Sequence, residues 1–169
     1  STETALLKLT NDIMENIDSG KITILTALDM SAAFDTLDHT TLLHRLQYTF
    51  GLSGFVITWI RSYLTNRSSF VKIDSSSSPC TTIDTGVPQG SVLGPLLFVL
   101  FISPIANVIN SDQPNGNNSI SFHQYADDTQ IYMHMKSGET NVNSLEYCFN
   151  SVRQWFLLNG LQLNPDKSE

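Results

Sequence analysis

The sequence predicts an α+β fold, an antiparallel sheet with helices packed on one face. Three observations predict it. Apolar residues recur at helical spacing over residues 4–18 and from about Thr140 to Leu158, β-branched residues cluster over Lys21–Met30, and two β-forming segments meet at a tight reversal within Phe122–Tyr132. Strands alternating irregularly with helices, together with one hairpin, give that layered arrangement. At 169 residues and 41% hydrophobic composition the chain can bury one core, so residues 1–169 read as one domain, with no internal repeat.

Leu6, Leu9, Ile13 and Ile17 form the packing stripe of the first helix, which Ser19-Gly20 stops. Ile22, Thr23, Ile24, Thr26 and Leu28 then make a strand apolar enough to be central, with Asp29 at its end. Asp38 caps a helix carrying Leu42, Leu43 and Leu46, and Ser53 caps another carrying Phe55, Trp59, Ile60, Tyr63 and Leu64; both read as core helices. Phe70–Ile73 and Cys80–Ile83 are strand candidates on either side of a serine-rich, hairpin-like connection. The loop Gly86-Val87-Pro88-Gln89-Gly90-Ser91 opens an apolar helix over Val92–Ile109, and a polar loop at Pro114–Asn118 leads into the hairpin. The last helix carries Leu145, Phe149, Val152 and Phe156, ends at Gly160, and precedes a short strand, Leu161-Gln162-Leu163.

The charge balance is acidic, 16 Asp and Glu against 9 Lys and Arg for a net −7, whereas a protein that grips phosphate backbones normally presents a basic face. Either the chain does not hold nucleic acid alone, or the basic parts lie elsewhere. Cys80 and Cys148 are far apart and lack metal-like spacing, which suits free thiols in a reducing compartment. Pro95, Ser103, Pro104 and Asn107 interrupt the longest apolar run, so it reads as a buried helix and no membrane partner is expected. No secretory signal is visible, and the expected location is intracellular, with nucleus and cytoplasm equally open.

Asp29 at the end of a buried strand would be costly to desolvate without a cation, and the adjacent Asp127 and Asp128 repel each other when ionised. A divalent cation answers both problems: Mg²⁺ takes one or two carboxylates plus phosphate oxygens, and paired ions about 3.5–4 Å apart serve polymerases and nucleases alike. Asp is equally a common turn residue, so the pair alone also reads as an ordinary reversal. After Asp29, the small residues Ser31, Ala32 and Ala33 would let a triphosphate approach backbone amides, and the Phe34 ring would either lie under a bound sugar or pack in the core. Gln89 is fixed between Pro88 and Gly90 more tightly than an idle loop residue needs. Lys167 is either a proton donor to a leaving pyrophosphate or a solvated charge. The four histidines show no metal-ligand spacing, and neither a P-loop nor a dinucleotide-binding glycine pattern occurs.

Three blocks in order carry a resemblance: Leu28-Asp29-Met30-Ser31-Ala32-Ala33-Phe34-Asp35-Thr36-Leu37-Asp38-His39, then Gly86-Val87-Pro88-Gln89-Gly90-Ser91-Val92-Leu93-Gly94-Pro95-Leu96-Leu97-Phe98, then Tyr125-Ala126-Asp127-Asp128. Together they resemble the reverse transcriptase of non-LTR (LINE-type) retrotransposons, and Leu161–Lys167 resembles that family's next block. The resemblance implies a polymerase palm. It makes Asp29, Asp127 and Asp128 the metal-binding carboxylates for two Mg²⁺ ions, with Mn²⁺ an alternative, and the Met30 carbonyl a further ligand. It makes Phe34 the steric gate against a 2′-hydroxyl, Gln89 and Gly90 a contact to the incoming nucleotide, Tyr125 and Ala126 the lining of the primer end and new base pair, and Lys167 the general acid.

The implied activity is RNA-directed DNA polymerisation, joining a deoxynucleotide to a DNA primer 3′-hydroxyl on an RNA template. Ala32 stands where the family commonly has Lys. Fingers and thumb regions are expected before residue 1 and after residue 169, so the 169-residue chain is expected to be inactive or very weak alone, and the acid balance fits a palm without its electrostatic grips. The competing readings are a retrotransposon-derived, non-catalytic binding module, and a two-metal nuclease, which leaves Phe34 and the Gln89 loop without a purpose.

Overall fold

The computed structural model describes residues 2–111, 120–126, 128–136, 138, 142–164 and 167–168. Its elements run α1 (Thr2–Asp18), β1 (Lys21–Leu28), β2 (Met30–Ser31), α2 (His39–Tyr48), α3 (Gly54–Leu64), β3 (Arg67–Ser69), β4 (Lys72–Ile73), β5 (Ser76–Ser77), β6 (Thr81–Ile83), α4 (Gly94–Ile102), α5 (Ile105–Ser111), β7 (Ile120–Tyr125), β8 (Asp128–Lys136), α6 (Asn143–Leu158) and β9 (Gln162–Leu163). They form two compact units, one of Ser1–Ser31 with Ser103–Glu169 and one of Ala32–Ile102.

The first unit is built on an antiparallel sheet in the order β1-β8-β7, with Leu28 and Gln124 both opposite Thr129. The central strand is therefore β8, where Thr129, Ile131, Tyr132 and Met133 are all buried. The strand β1, apolar enough by composition to be central, lies at the edge and exposes Lys21, Ile22 and Leu25. Composition reports how well side chains suit a pleated surface, not how many neighbours a strand has. On one face Leu28, Ile120, Ile131 and Met133 join the buried Ile105 and Ile109 of α5 and Leu145, Cys148, Val152 and Phe156 of α6. On the other, the Tyr132 hydroxyl donates to the Asp12 carboxylate of α1 at 2.6 Å. The α+β class and the antiparallel sheet are as expected, with helical cover on both faces where the pattern suggested one. In α1 only Leu9 of the expected stripe is buried, while Leu6 and Ile17 are exposed.

In the second unit, Asp38 caps α2 as its position predicts, its carboxylate accepting from the Thr41 N–H at 2.7 Å. Leu42, Leu43 and Leu46 of α2, Ile60 and Leu64 of α3, and Leu97, Phe98, Phe101 and Ile102 of α4 are buried. Ser53 precedes α3 without a side-chain capping bond, and Phe55 and Trp59 are exposed, so α3 buries a narrower face than its pattern suggests. The strands β3–β6 form one long hairpin, with Arg67 opposite Ile83 at its base and Lys72 opposite Ser77 further out. The apolar run expected as a single helix is broken at Ser103-Pro104 into α4 and α5, since Pro lacks the N–H a helix interior needs. Its length and composition would suit a membrane span, yet Leu97, Phe98, Phe101, Ile102, Ile105 and Ile109 are buried within protein.

Candidate active site

In the first unit β1 changes partner at Asp29. Up to Leu28 the strand pairs with β8; from Met30 it pairs with β9, Met30 opposite Leu163 and Ser31 opposite Gln162. Continuing the β1–β8 register one step beyond Leu28–Thr129 sets Asp29 opposite Asp128, which itself pairs with Tyr125 to close the hairpin. The two carboxylates therefore share one end of the sheet, Asp29 half-buried and Asp128 exposed.

The backbone of Asp29 is held by the turn after β9. Its N–H donates to the Ser168 hydroxyl at 3.3 Å, its carbonyl accepts from the Asn164 N–H at 2.9 Å, and the Ser168 hydroxyl donates to the Asn164 carbonyl at 2.8 Å. Neither Asn164 nor Ser168 stood out in the sequence, because their partner is more than 130 residues away and neither carries a local signal. Lys167, exposed, rides on this turn, its N–H bonded to the Asn164 carbonyl at 3.3 Å. The proposed proton donor is thus carried by the segment that fixes Asp29.

The hairpin of β7 and β8 closes with Tyr125 opposite Asp128. Ala126 has φ 55°, the left-handed region such tight turns demand and a non-glycine residue rarely adopts. Tyr125 is exposed beside it. Asp127 lies outside the described residues. Met30, whose carbonyl was a candidate ligand, has a buried side chain and a backbone engaged with Leu163.

The remaining candidates, Ala32, Ala33, Phe34, Gln89 and Gly90, belong to the second unit. Ala32 is exposed at φ 49°, while Ala33 points into the core at 5% exposure, leaving only its backbone to meet a ligand. The Phe34 ring is half-buried and leans on Phe98 of α4, centroids 4.9 Å apart. Gln89 and Gly90 are exposed, and the Gln89 amide donates to the Asp35 carboxylate at 3.1 Å. The loop of Gln89 is packed onto the segment of Phe34. Val87 N–H donates to the Phe34 carbonyl at 2.8 Å, and the Thr85 hydroxyl to the Asp35 carbonyl at 3.0 Å. A Cβ on Gly86 would stand 2.7 Å from the Asp35 carbonyl oxygen, so only glycine fits there. Sequence reading recognised both segments and gave no role to Asp35 or Gly86, whose meaning lies in this contact.

The donor chemistry suits a hard divalent cation. Asp29 and Asp128 lie at one end of the sheet, and the whole net charge of −7 falls in their unit, since Arg45, Arg61, Arg67 and Lys72 balance Asp35, Asp38, Asp74 and Asp84 in the other. Among the described residues no group of three or more His, Cys, Asp or Glu side chains is gathered.

The sequence profile of the family described as "Reverse transcriptase (RNA-dependent DNA polymerase)" matches residues 3–169. The chain is 28% identical over 172 residues to the RNA-directed DNA polymerase from mobile element jockey of Drosophila melanogaster, covering 98% of this chain and 18% of that protein. It is 27% identical to the Pol polyprotein from the type-1 retrotransposable element R2 of Popillia japonica, covering 88% of this chain and 24% of that protein. The chain thus spans about a fifth of the length of these relatives. Among solved structures, telomerase from Candida albicans in complex with the TWJ fragment of telomeric RNA aligns with a TM-score of 0.73 at 16% identity, over 100% of this chain and 30% of that one. Apo telomerase from Candida tropicalis truncated from its C-terminal domain aligns with a TM-score of 0.70 at 15% identity, over 100% of this chain and 34% of that one. At such identity the likeness is one of fold.

Proposed function

This chain belongs to the reverse transcriptase family, and from that premise we propose that it is the catalytic palm of a LINE-type RNA-directed DNA polymerase, acting within a longer protein on an RNA template, a DNA primer and deoxynucleoside triphosphates. The observation that carries the reading is the β1–β8 register, which carried one step past Leu28–Thr129 brings Asp29 to Asp128 at the end of the sheet. Asp29 and Asp128, with Asp127, would hold divalent cations, Mg²⁺ or Mn²⁺. Two ions bound there would supply activation of the primer 3′-hydroxyl and charge stabilisation on the leaving pyrophosphate.

The rest is the work of side chains. Asn164 and Ser168 fix the backbone that carries Asp29, so its carboxylate arrives preorganised. Lys167, on the same turn, protonates the departing pyrophosphate. Phe34, braced by Phe98, crowds the 2′ position of the sugar and favours deoxynucleotides. Gln89, oriented by Asp35, meets the incoming nucleotide. Tyr125 and Ala126, at the hairpin turn, line the primer end.

Titrating Mn²⁺ and a deoxynucleoside triphosphate into the purified chain tests this. Binding of nucleotide that requires metal, and that Asp29→Asn and Asp127→Ala each abolish, is expected. Metal-independent binding, or binding indifferent to both substitutions, would sink the polymerase reading.

A further inference from the structure

His39 is a buried titratable side chain to which the reaction assigns no part. It lies at the start of α2, 8% exposed, and its Nε2 is 2.7 Å from the carbonyl oxygen of Gly86. The Arg67 guanidinium, from the base of the β3–β6 hairpin, donates to the same oxygen at 2.9 Å. A carbonyl oxygen has two lone pairs, so these two donors, with His39 in the tautomer protonated at Nε2, saturate it. The N–H of Gly86 is also held, donating to the Leu37 carbonyl at 2.7 Å. At φ 73°, with the Asp35 backbone filling the space of a side chain, Gly86 has no room to move on its remaining side.

Gln89 is three residues further along this loop, and its amide is bonded to Asp35, the residue packed against Gly86. Displacing the Gly86 carbonyl would therefore displace the turn Pro88-Gln89-Gly90 relative to Phe34 and Asp35. We propose that His39 and Arg67 are positioning residues: together they clamp the Gly86 carbonyl and so fix the loop from which Gln89 meets the nucleotide, setting nucleotide affinity without touching it. The clamp is a property of the fold; its effect on nucleotide rests on the polymerase reading above. An arginine contributes a full charge, so each bond of this kind exceeds a neutral one in strength.

The test compares His39→Ala, His39→Gln and Arg67→Ala in the whole chain, with His44→Ala as a control on the same helix, where the exposed ring leans on Tyr48. Two measurements are made on each. Amide hydrogen exchange over residues 86–91 reads the loop itself, and titration of a deoxynucleoside triphosphate in the presence of Mn²⁺ reads its consequence. His39→Ala and Arg67→Ala are expected to speed exchange in residues 86–91 and to weaken nucleotide binding by about tenfold, the effect of losing one charge-assisted or buried hydrogen bond. Mn²⁺ affinity measured without nucleotide stays unchanged. His39→Gln, whose amide nitrogen reaches the position of Nε2, restores both, and His44→Ala leaves both as in the parent.

Exchange at residues 86–91 that is unaltered in His39→Ala and Arg67→Ala overturns the clamp, as does His39→Gln behaving like His39→Ala. If His39→Ala does not fold, Arg67→Ala, at a half-buried position, decides by the same measurements. Should the parent chain bind nucleotide independently of metal, the polymerase reading fails, while the exchange measurement still judges the clamp.

Discussion

Carried one step past Leu28–Thr129, the register of β1 on β8 brings Asp29 to Asp128, at the point where the edge strand leaves its neighbour for β9. Two carboxylates so placed repel in the absence of a cation. Divalent metal should therefore raise the thermal midpoint of the chain in a concentration-dependent way, since a ligand that binds only the folded state stabilises it. Asp29→Asn should lose that response and, without metal, match or exceed the parent in stability. Thermal unfolding with Mg²⁺, with Mn²⁺ and with a chelator measures both, and an equal response in parent and variant would remove Asp29 from the metal site.

The Gly86 contact gives a prediction about the fold alone. Gly86→Ala forces a Cβ to 2.7 Å of the Asp35 carbonyl oxygen at φ 73°, and should cost about 2–4 kcal/mol. Gly20 has nearly the same φ, 69°, with open space around it, so Gly20→Ala should cost only about 1 kcal/mol. Denaturant unfolding of the pair separates close approach from backbone strain; equal losses would mean that the loop packs less tightly than the contact implies.

Much of this was legible in the sequence because the signals are local. The hairpin of Tyr125 and Asp128, the Asp38 cap and the strand leading to Asp29 follow from residue types a few positions apart. What was not legible depends on pairs distant in the chain. Nothing near Lys21–Leu28 says that β8 rather than β1 takes the centre of the sheet, and nothing near Asn164 or Ser168 says that they close on Asp29. The α1 stripe was misjudged for the same reason: Leu6 and Ile17 are exposed, and the helix is fixed instead by Leu9 and by a polar contact between Asp12 and Tyr132, 120 positions apart.

That contact makes stability depend on pH in a defined way. The Lys8 ammonium at 2.6 Å, and then the Tyr132 hydroxyl, hold the Asp12 carboxyl below its ordinary range, so its contribution is present above that range and lost as pH falls through it. Burial, and then the Asp12 carboxylate, push the Tyr132 phenol up, so its contribution is present below the ordinary phenol range and lost as pH rises above it. Burial, and then Lys21, hold His134 below its usual value, adding to the loss on the acid side. Tyr132→Phe should cost about 1.5–3 kcal/mol near neutral pH and flatten the alkaline limb. Denaturation midpoints from about pH 4 to about pH 11 measure the curve, and an alkaline limb unchanged in Tyr132→Phe would contradict the assignment.

Phe34 braced on Phe98 predicts a change in sugar selection. Phe34→Val keeps an apolar side chain but withdraws the ring, so binding of a ribonucleoside triphosphate in the presence of Mn²⁺ should improve about tenfold relative to its deoxy counterpart. The stability cost should be about 1–2 kcal/mol, as the side chain is only half-buried. A loss of stability with no change in the ratio of the two nucleotides would make Phe34 a packing residue and nothing more.

Thr129, beside Asp128, is completely buried, and its hydroxyl has no hydrogen-bond partner among the described residues. Directly opposite it, the Gln124 amide nitrogen is buried in the same condition. A buried hydroxyl without a partner costs about 1–3 kcal/mol, and valine has the same branched shape without that cost. Thr129→Val should therefore stabilise the chain by about 1 kcal/mol, whereas Thr129→Ala, which also opens a cavity, should not. If a buried water joins the Thr129 hydroxyl to the Gln124 amide, Thr129→Val would instead destabilise, because the water and the amide would each lose a partner. The sign of the change in unfolding free energy distinguishes the two, and Thr129→Ser, which keeps the hydroxyl, would follow the parent more closely than Thr129→Val only in the second case.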